Sequence, residues 1–230
     1  MPAVTIVIPV LNEAAAIATT LGALQPVRRA GAEIVVVDGG SRDGTPRLAM
    51  PLADRVVTAP RGRASQMNAG AAAARCDSLL FLHADTVLPP DALASIETAL
   101  RARAWGRFDV AIDGADPLLA VVAACMNLRS RLTGIATGDQ AIFIRRAAFD
   151  ALGGFPAIPL MEDVAFSRKA RRALGRPACL RSRVLTSGRR WERHGVLRTI
   201  VLMWRLRLAY ALGADPHRLA RRYGVERTSS

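Results

Sequence analysis

Short β-branched runs alternate with alanine-rich segments through residues 4–102, and this alternation constrains the fold more than any other feature of the chain. VTIVIP (4–9), EIVVVD (33–38), DRVVTA (54–59) and SLLFLH (78–83) are apolar runs of strand length bounded by turn residues. Runs apolar on both faces are what a buried parallel sheet requires. Between and after them, EAAAIATTLGAL (13–24), GRASQMNAGAAAA (62–74) and PPDALASIETALRA (89–102) read as helices, the last opened by prolines and by Asp91. The resulting β-α-β-α order predicts a doubly wound α/β sheet.

The pattern then changes. RFDVAI (107–112) alternates like a half-exposed antiparallel strand, DPLLAVVAACMNLRSRL (116–132) is a helix, and QAIFIR (140–145) is another strand. A GGF turn at 153–155 leads to EDVAFSRKARRAL (162–174), a helix with a basic outer face. VLRTIVLMWRLRLAYAL (196–212) is a strongly apolar helix, and the basic polar tail beyond it is read as disordered. Residues 1–195 are expected to form one domain, with 196–230 as an appendage.

Charge is unevenly placed. The whole chain carries a net +13, yet residues 168–230 alone hold 17 Lys or Arg against three acids, an excess of 14. The first part is therefore nearly neutral, and the basic C-terminal quarter suits an anionic partner or a solvated arginine-rich face. Cys76, Cys125 and Cys179 are widely spaced and lack metal-ligand spacing, as expected of reduced thiols in a cytoplasmic protein. The opening MPAVTIVIPV has neither a basic leader nor a cleavage site and reads as a strand, and no apolar run is long enough to span a bilayer.

In open α/β sheets ligands bind beyond the carboxyl ends of the strands. The segments expected there are PVLNE (9–13), DGGSRDGT (38–45) and HADT (83–86). Asp38, ahead of two glycines, can accept hydrogen bonds from a nucleotide or can cap its own turn together with Ser41. Asp85 at a strand tip offers one hard oxygen ligand, which suffices for a divalent cation that otherwise holds phosphates and water. Glu162 and Asp163 open a helix, where acids favour the helix dipole and could also serve as a general base. Arg189, Arg190, Trp191, Arg193 and His194 form a basic, aromatic cluster able to clamp phosphate. A dinucleotide or methyl-donor site is disfavoured, because PVLNE replaces the glycine-rich turn after the first strand.

In this order, IVIPVLNE (6–13), VVVDGGSRDGT (35–45), GRASQMNAGA (62–71), FLHADT (81–86), GDQAIFIRRAAFDALGGF (138–155) and MEDVAFSRKARRALG (161–175) resemble the family 2 glycosyltransferases. The short bacterial subgroup called "rSAM/selenodomain-associated" glycosyltransferases is the most similar. The resemblance implies a GT-A fold, a Rossmann-like mixed sheet flanked by helices, followed here by the C-terminal apolar helix. It implies that Pro9, Leu11, Glu13, Asp38, Ser41, Arg63, Asn68, Ala84 and Asp85 line the nucleotide-sugar pocket. HADT stands where the family has Asp-x-Asp, so Asp85 is the implied ligand for Mn²⁺ or Mg²⁺, while His83 replaces the first carboxylate. His194 is a weaker candidate ligand. Asp163 is the implied catalytic base with Glu162 beside it, and Gly138, Asp139 and Gln140 are implied to be close to the acceptor.

The implied reaction is an inverting, metal-dependent transfer from a nucleoside-diphosphate sugar, UDP-linked, to the hydroxyl of a small or lipid-linked acceptor. Nucleic acid is not an expected partner, and a homodimer is left open. Two alternatives carry less weight: a sugar nucleotidyltransferase, which needs a glycine-rich basic loop where PVLNE stands, and a silent nucleotide- or anionic-membrane-binding protein. For the C-terminal helix, packing on protein and peripheral membrane contact both stay open. Arg205 falls near Arg198 on the helix, whereas Arg207 falls opposite.

Overall fold

The computed structural model describes residues 4–224, without the side chains of Arg190 and His194. The first half runs β1 (Val4–Val10), α1 (Ala14–Arg29), β2 (Glu33–Asp38), α2 (Thr45–Ala49), β3 (Arg55–Thr58), α3 (Arg63–Ala73), β4 (Ser78–Phe81), β5 (Thr86–Val87) and α4 (Ala92–Ala102). It continues with β6 (Trp105–Asp113), α5 (Leu118–Thr133), β7 (Ile142–Arg145), α6 (Arg146–Ala151) and α7 (Glu162–Leu174). β8 (Ala178–Ser187), α8 (Arg189–His194), α9 (Val196–Ala211) and α10 (Pro216–Tyr223) complete it.

The strands form one mixed eight-stranded sheet in the order β3-β2-β1-β4-β7-β6-β8-β5. β3, β2, β1 and β4 are parallel, as their uninterrupted apolar runs require, and β7 joins β4 antiparallel. Register aligns Val10 with Asp38 and Val7 with Phe81, so the carboxyl ends of β1, β2 and β4 emerge along one edge.

Strand alternation divides the core between the two faces of the sheet. Val4, Ile6, Ile8 and Val10 point to the α1/α4 side, against Ile17, Leu21, Leu24, Ile96 and Leu100. Val7, Val35, Val37 and Leu79 point to the α3/α6/α7 side, where Phe81, Phe149, Phe155 and Phe166 pack ring on ring at centroid distances of 4.4 to 5.6 Å. Helix α3 lies so close to the sheet that a Cβ on Gly70 would fall 2.2 Å from Val7 Cγ1.

Two expectations are corrected. The 107–112 strand is buried, and it pairs antiparallel to β7 on one side and parallel to β8 on the other. Its polar members point inward because they satisfy each other: Arg107 is ion-paired with Asp109, which also takes Arg131 at 2.5 Å. The tail is also not irregular over its first part. Residues 216–223 form α10, capped by Asp215, whose carboxylate accepts the His217 N–H at 3.1 Å. The capping aspartate and the following Pro216 are a helix-start signal.

Candidate active site

The loops after β1 and β2 are stitched together by side chains that accept backbone N–H groups. Ser41 Oγ accepts from Asn12 at 2.8 Å, Thr45 Oγ1 from Glu13 at 2.9 Å and Asp43 Oδ2 from Ala14 at 2.9 Å. Asn12 returns the contact by accepting the Arg42 N–H at 2.9 Å, and it holds a left-handed φ of 55°. Asp38 is buried and accepts the N–H groups of Gly40 and Ser41, each at 3.0 Å. Gln66 on α3 donates to the carbonyls of Val10 at 2.7 Å and Val37 at 2.8 Å, fixing both strand ends to the helix behind them.

Beyond these ends lies a cleft of about 770 Å³. Pro9, Leu11, Glu13, Arg61, Arg63, Ala84 and Asp85 line one side. Gly138, Asp139, Glu162 and Asp163 line the facing side, and His83 lies between. The second wall is built by a 3-10 turn at Gly138–Gln140 and by the first turn of α7. Asp163 Oδ2 accepts the Gly138 N–H at 2.8 Å, and its Oδ1 takes the Val164 N–H at 2.7 Å. Met161 precedes the two acids in a left-handed conformation, φ 68°, which turns the chain into α7 with both carboxylates at the cleft. Such backbone strain in a non-glycine residue persists where surrounding structure enforces it. Here the buried Met161 side chain packs with Val164, Leu206 and Leu219.

Electrostatics separate the two adjacent acids. Burial, and then the neighbouring Asp163 charge, push the Glu162 carboxyl up to about 7, so it retains its proton in mildly acidic solution. Glu13 is also raised, first by burial and then by Asp85. Enclosure opposes the charge of Arg63, but Glu162 and Asp139 outweigh it and raise its pKa. Behind the second wall, burial followed by Arg207 brings Arg129 down to about 10. Burial likewise lowers Arg207, with Asp163 and Asp139 opposing.

Not every residue singled out in the sequence reaches the cleft. Asp38 and Ser41 are engaged in their own turn and loop. Asn68 exchanges two 2.9 Å hydrogen bonds with the backbone of Phe155, tying α3 to the loop before α7. Gln140 is fully buried, with its amide on Asn127 at 3.3 Å. His194 ends α8, and its side chain lies outside the described residues. His83 is 12% exposed, with Nδ1 3.3 Å from Asp139 Oδ1, and its ring abuts Gly138, where a Cβ would fall 2.6 Å from Nε2. It thus braces the 3-10 turn against the tip of β4.

A third wall is not legible as such in the sequence: Met203 and Arg207 of α9, with His217 and Tyr223 of α10, also line the cleft. Its trace there is Arg207, which falls on the opposite side of α9 from Arg198 and Arg205. Arg189 reaches the same edge, 3.8 Å from Asp85.

Whether this cleft suits a divalent cation follows from its donors. Among the described residues no three His, Cys, Asp or Glu side chains converge as a metal cage. The half-exposed Asp85 carboxylate, facing the cleft, fits instead a hard cation that takes most of its ligands from phosphate and water.

Residues 5–117, which carry β1 to β6 and the first wall of the cleft, match the model of glycosyl transferase family 2. The chain also resembles solved structures. PcManGT, a mannosyltransferase from Pyrobaculum calidifontis in complex with GDP-Man and Mn²⁺, is 25% identical with a TM-score of 0.60 over 79% of this chain and 56% of that one. TarS 1-349 from S. aureus is 18% identical with a TM-score of 0.65, over 82% of this chain and 61% of that one. Glucosyl-3-phosphoglycerate synthase from Mycobacterium tuberculosis, in complex with Mn²⁺, UDP and glucosyl-3-phosphoglycerate, is 20% identical with a TM-score of 0.59, over 80% and 70%. The latter two likenesses are of fold alone. The chain spans little more than half the length of the first two proteins. No curated protein matches it in sequence.

Proposed function

We propose that the glycosyltransferase moves a sugar from a nucleoside-diphosphate sugar, UDP-linked, to an acceptor hydroxyl with inversion at the anomeric carbon. The observation that carries this reading is the convergence of Glu13, Arg63 and Asp85 with Asp139, Glu162 and Asp163 around one cleft. About 770 Å³ is ample for a nucleotide sugar with room for an acceptor. The motif order supports membership in the short bacterial subgroup named above.

In this mechanism Asp163 takes the acceptor proton as the hydroxyl oxygen bonds to the anomeric carbon, and the bond from that carbon to the diphosphate oxygen breaks. The two N–H groups on Asp163 hold its carboxylate in place. Glu162, protonated near neutrality, spares Asp163 a second adjacent negative charge. Glu13 and Arg63 flank the donor, and Asp139 with the Gly138 turn faces the acceptor. When bound at Asp85, Mn²⁺ or Mg²⁺ offsets charge collecting on the departing diphosphate.

A thermal-shift screen of nucleotide sugars and nucleoside diphosphates, with and without Mn²⁺, tests the reading. Stabilisation that requires both nucleotide and metal is expected, with released nucleoside diphosphate once an acceptor is supplied. Absence of any shift across the panel would overturn it.

A further inference from the structure

Thirteen large apolar side chains stand out as exposed among the described residues, and nine of them lie on two helices. On α5 they are Leu118, Val121, Leu128 and Leu132; on α9 they are Leu197, Val201, Trp204, Leu208 and Leu212, the last at the helix's C-cap. The spacings of three, four and seven residues place each set within about a third of its helix circumference, at roughly 100° per residue. These are continuous stripes, unlike the single exposed leucines that any protein surface carries.

The two stripes are neighbours. Val122 and Met126 of α5 pack against Val196 and Ile200 of α9, which joins the helices side by side. α9 uses its opposite side, with Leu202, Leu206, Ala209 and Tyr210, to pack on Met161 and Val164 of the catalytic wall. Trp204 is 74% exposed and Leu212 80%, so the outer stripe is left free by the same packing that buries the inner one.

Charge identifies the occupant. Neither 118–133 nor 196–211 contains an Asp or Glu. Arg198 and Arg205 are exposed along one edge of the α9 stripe, while Arg207 is turned into the cleft. The nearest acids in sequence lie off the stripes: Asp116 accepts the Leu118 N–H ahead of α5, Asp215 caps α10, and Glu192 belongs to the short helix α8. A second copy meeting this face about a two-fold axis would set arginine rims against each other with no acid on either stripe to answer them. An anionic bilayer supplies both an apolar layer for the stripes and phosphates for the arginines. No helix among the described residues is long and apolar enough to cross a membrane, so the face would lie on the surface rather than span it.

We propose that the joined outer faces of α5 and α9 seat this protein on an anionic lipid bilayer, with Trp204 and the leucines entering the interface and Arg198 and Arg205 meeting lipid phosphates.

Flotation of the full chain with vesicles of phosphatidylcholine alone, and of phosphatidylcholine mixed one to one with phosphatidylglycerol, tests this. Binding is expected to the mixed vesicles, weakening as salt rises. Leu128→Glu on α5 and Leu208→Glu on α9 should each lower partitioning at least tenfold. Arg198→Gln and Arg205→Gln should each lower it by about fivefold. Met50→Glu, an equally exposed apolar site on the α2 side, should change nothing. All five positions are exposed, so melting temperatures should stay near that of the parent. A fluorophore on Cys125, which lies within the α5 stripe and is the exposed thiol, should be quenched by spin-labelled acyl chains. Unchanged flotation of both glutamate variants would overturn the proposal. So would sensitivity confined to α9. A dimer that dissociates in the same variants while the parent ignores both vesicle types would assign the face to a second copy instead.

Discussion

Asp163 holds the 3-10 turn by accepting the Gly138 N–H at 2.8 Å, so the candidate base and the acceptor-side wall are positioned by one hydrogen bond. An asparagine retains an acceptor oxygen for that bond but cannot take a proton. Its amide nitrogen would face the Val164 N–H that the other carboxylate oxygen now accepts, so Asp163→Asn should lower stability by about 1 kcal/mol, preserve the affinity for UDP with Mn²⁺, and lower turnover by about 10² to 10⁴-fold. Calorimetry and nucleoside-diphosphate release measure the two halves separately. Near-parent turnover would remove Asp163 from the role of base.

Glu162 makes stability depend on pH in a defined direction. Its folded-state pKa is raised to about 7 from an ordinary 4.5, so the folded protein binds the extra proton between those values. The contribution is favourable below the unfolded value and is lost as pH rises through the folded one. Glu162→Gln removes the cost of burying the ionised form. The variant should match the parent near pH 5 and exceed it by about 2–3 kcal/mol at pH 8. Urea unfolding at the two pH values checks this, and a gain that is equal at both would refute it.

Asp85 touches little that the fold needs: it is about one-third exposed, and its ion pair with Arg189 is a long 3.8 Å. Asp85→Ala should leave stability within about 0.5 kcal/mol. The increment that Mn²⁺ adds to nucleotide binding should fall at least tenfold, and binding without metal should be little changed. Titrating UDP in Mn²⁺ and in chelator separates these outcomes. Retention of the full increment would place the metal ligand elsewhere.

Much of this site could be read from the chain because the residues that build it are local. The tips of β1 and β4 follow directly from where apolar runs end, and Glu162 and Asp163 from where a helix starts after a glycine-rich turn. What escaped was tertiary. RFDVAI alternates as a half-exposed strand would, and only the packing of α5 reveals that Arg107 and Asp109 neutralise each other in the interior. Sequence showed that Arg207 leaves the side of α9 shared by Arg198 and Arg205, but not that the side it takes faces a cleft. His83 reads in sequence as a replacement for the motif's first carboxylate, and only the fold places its ring in the space that Gly138 leaves.

That last contact is testable by a double-mutant cycle. Gly138→Ala would bring a Cβ to 2.6 Å from His83 Nε2, so the ring or the turn must move. A cost of about 1–3 kcal/mol is expected, together with reduced turnover as the Asp163 anchor shifts. His83→Ala removes the obstruction as well as the Asp139 contact. The double variant should therefore be more stable than the sum of the single losses allows, by at least about 0.5 kcal/mol. Strict additivity would show that the ring does not brace the turn.

The same turn is supported from the core. Arg107 donates to the Asn127 carbonyl at 3.2 Å, the Asn127 side chain accepts the Val110 N–H at 2.9 Å, and Gln140 donates to Asn127 Oδ1 at 3.3 Å. Gln140 ends the 3-10 turn that begins at Gly138, so the buried ion pair of β6 is coupled to the position of Asp163. Asp109→Ala leaves Arg107, 0% exposed, without its counter-ion and should cost about 3–5 kcal/mol in urea unfolding. Replacing the pair together, Arg107→Met with Asp109→Leu, should recover much of that stability, because the fully buried charge is gone and Arg131, a third exposed, keeps solvent and the Cys179 carbonyl. Turnover in the double variant should nonetheless stay below the parent, since a thioether in place of the guanidinium offers no donor to Asn127 and the turn behind Asp163 loses one of its supports. Full activity in that variant would confine the network to stability and uncouple it from the site.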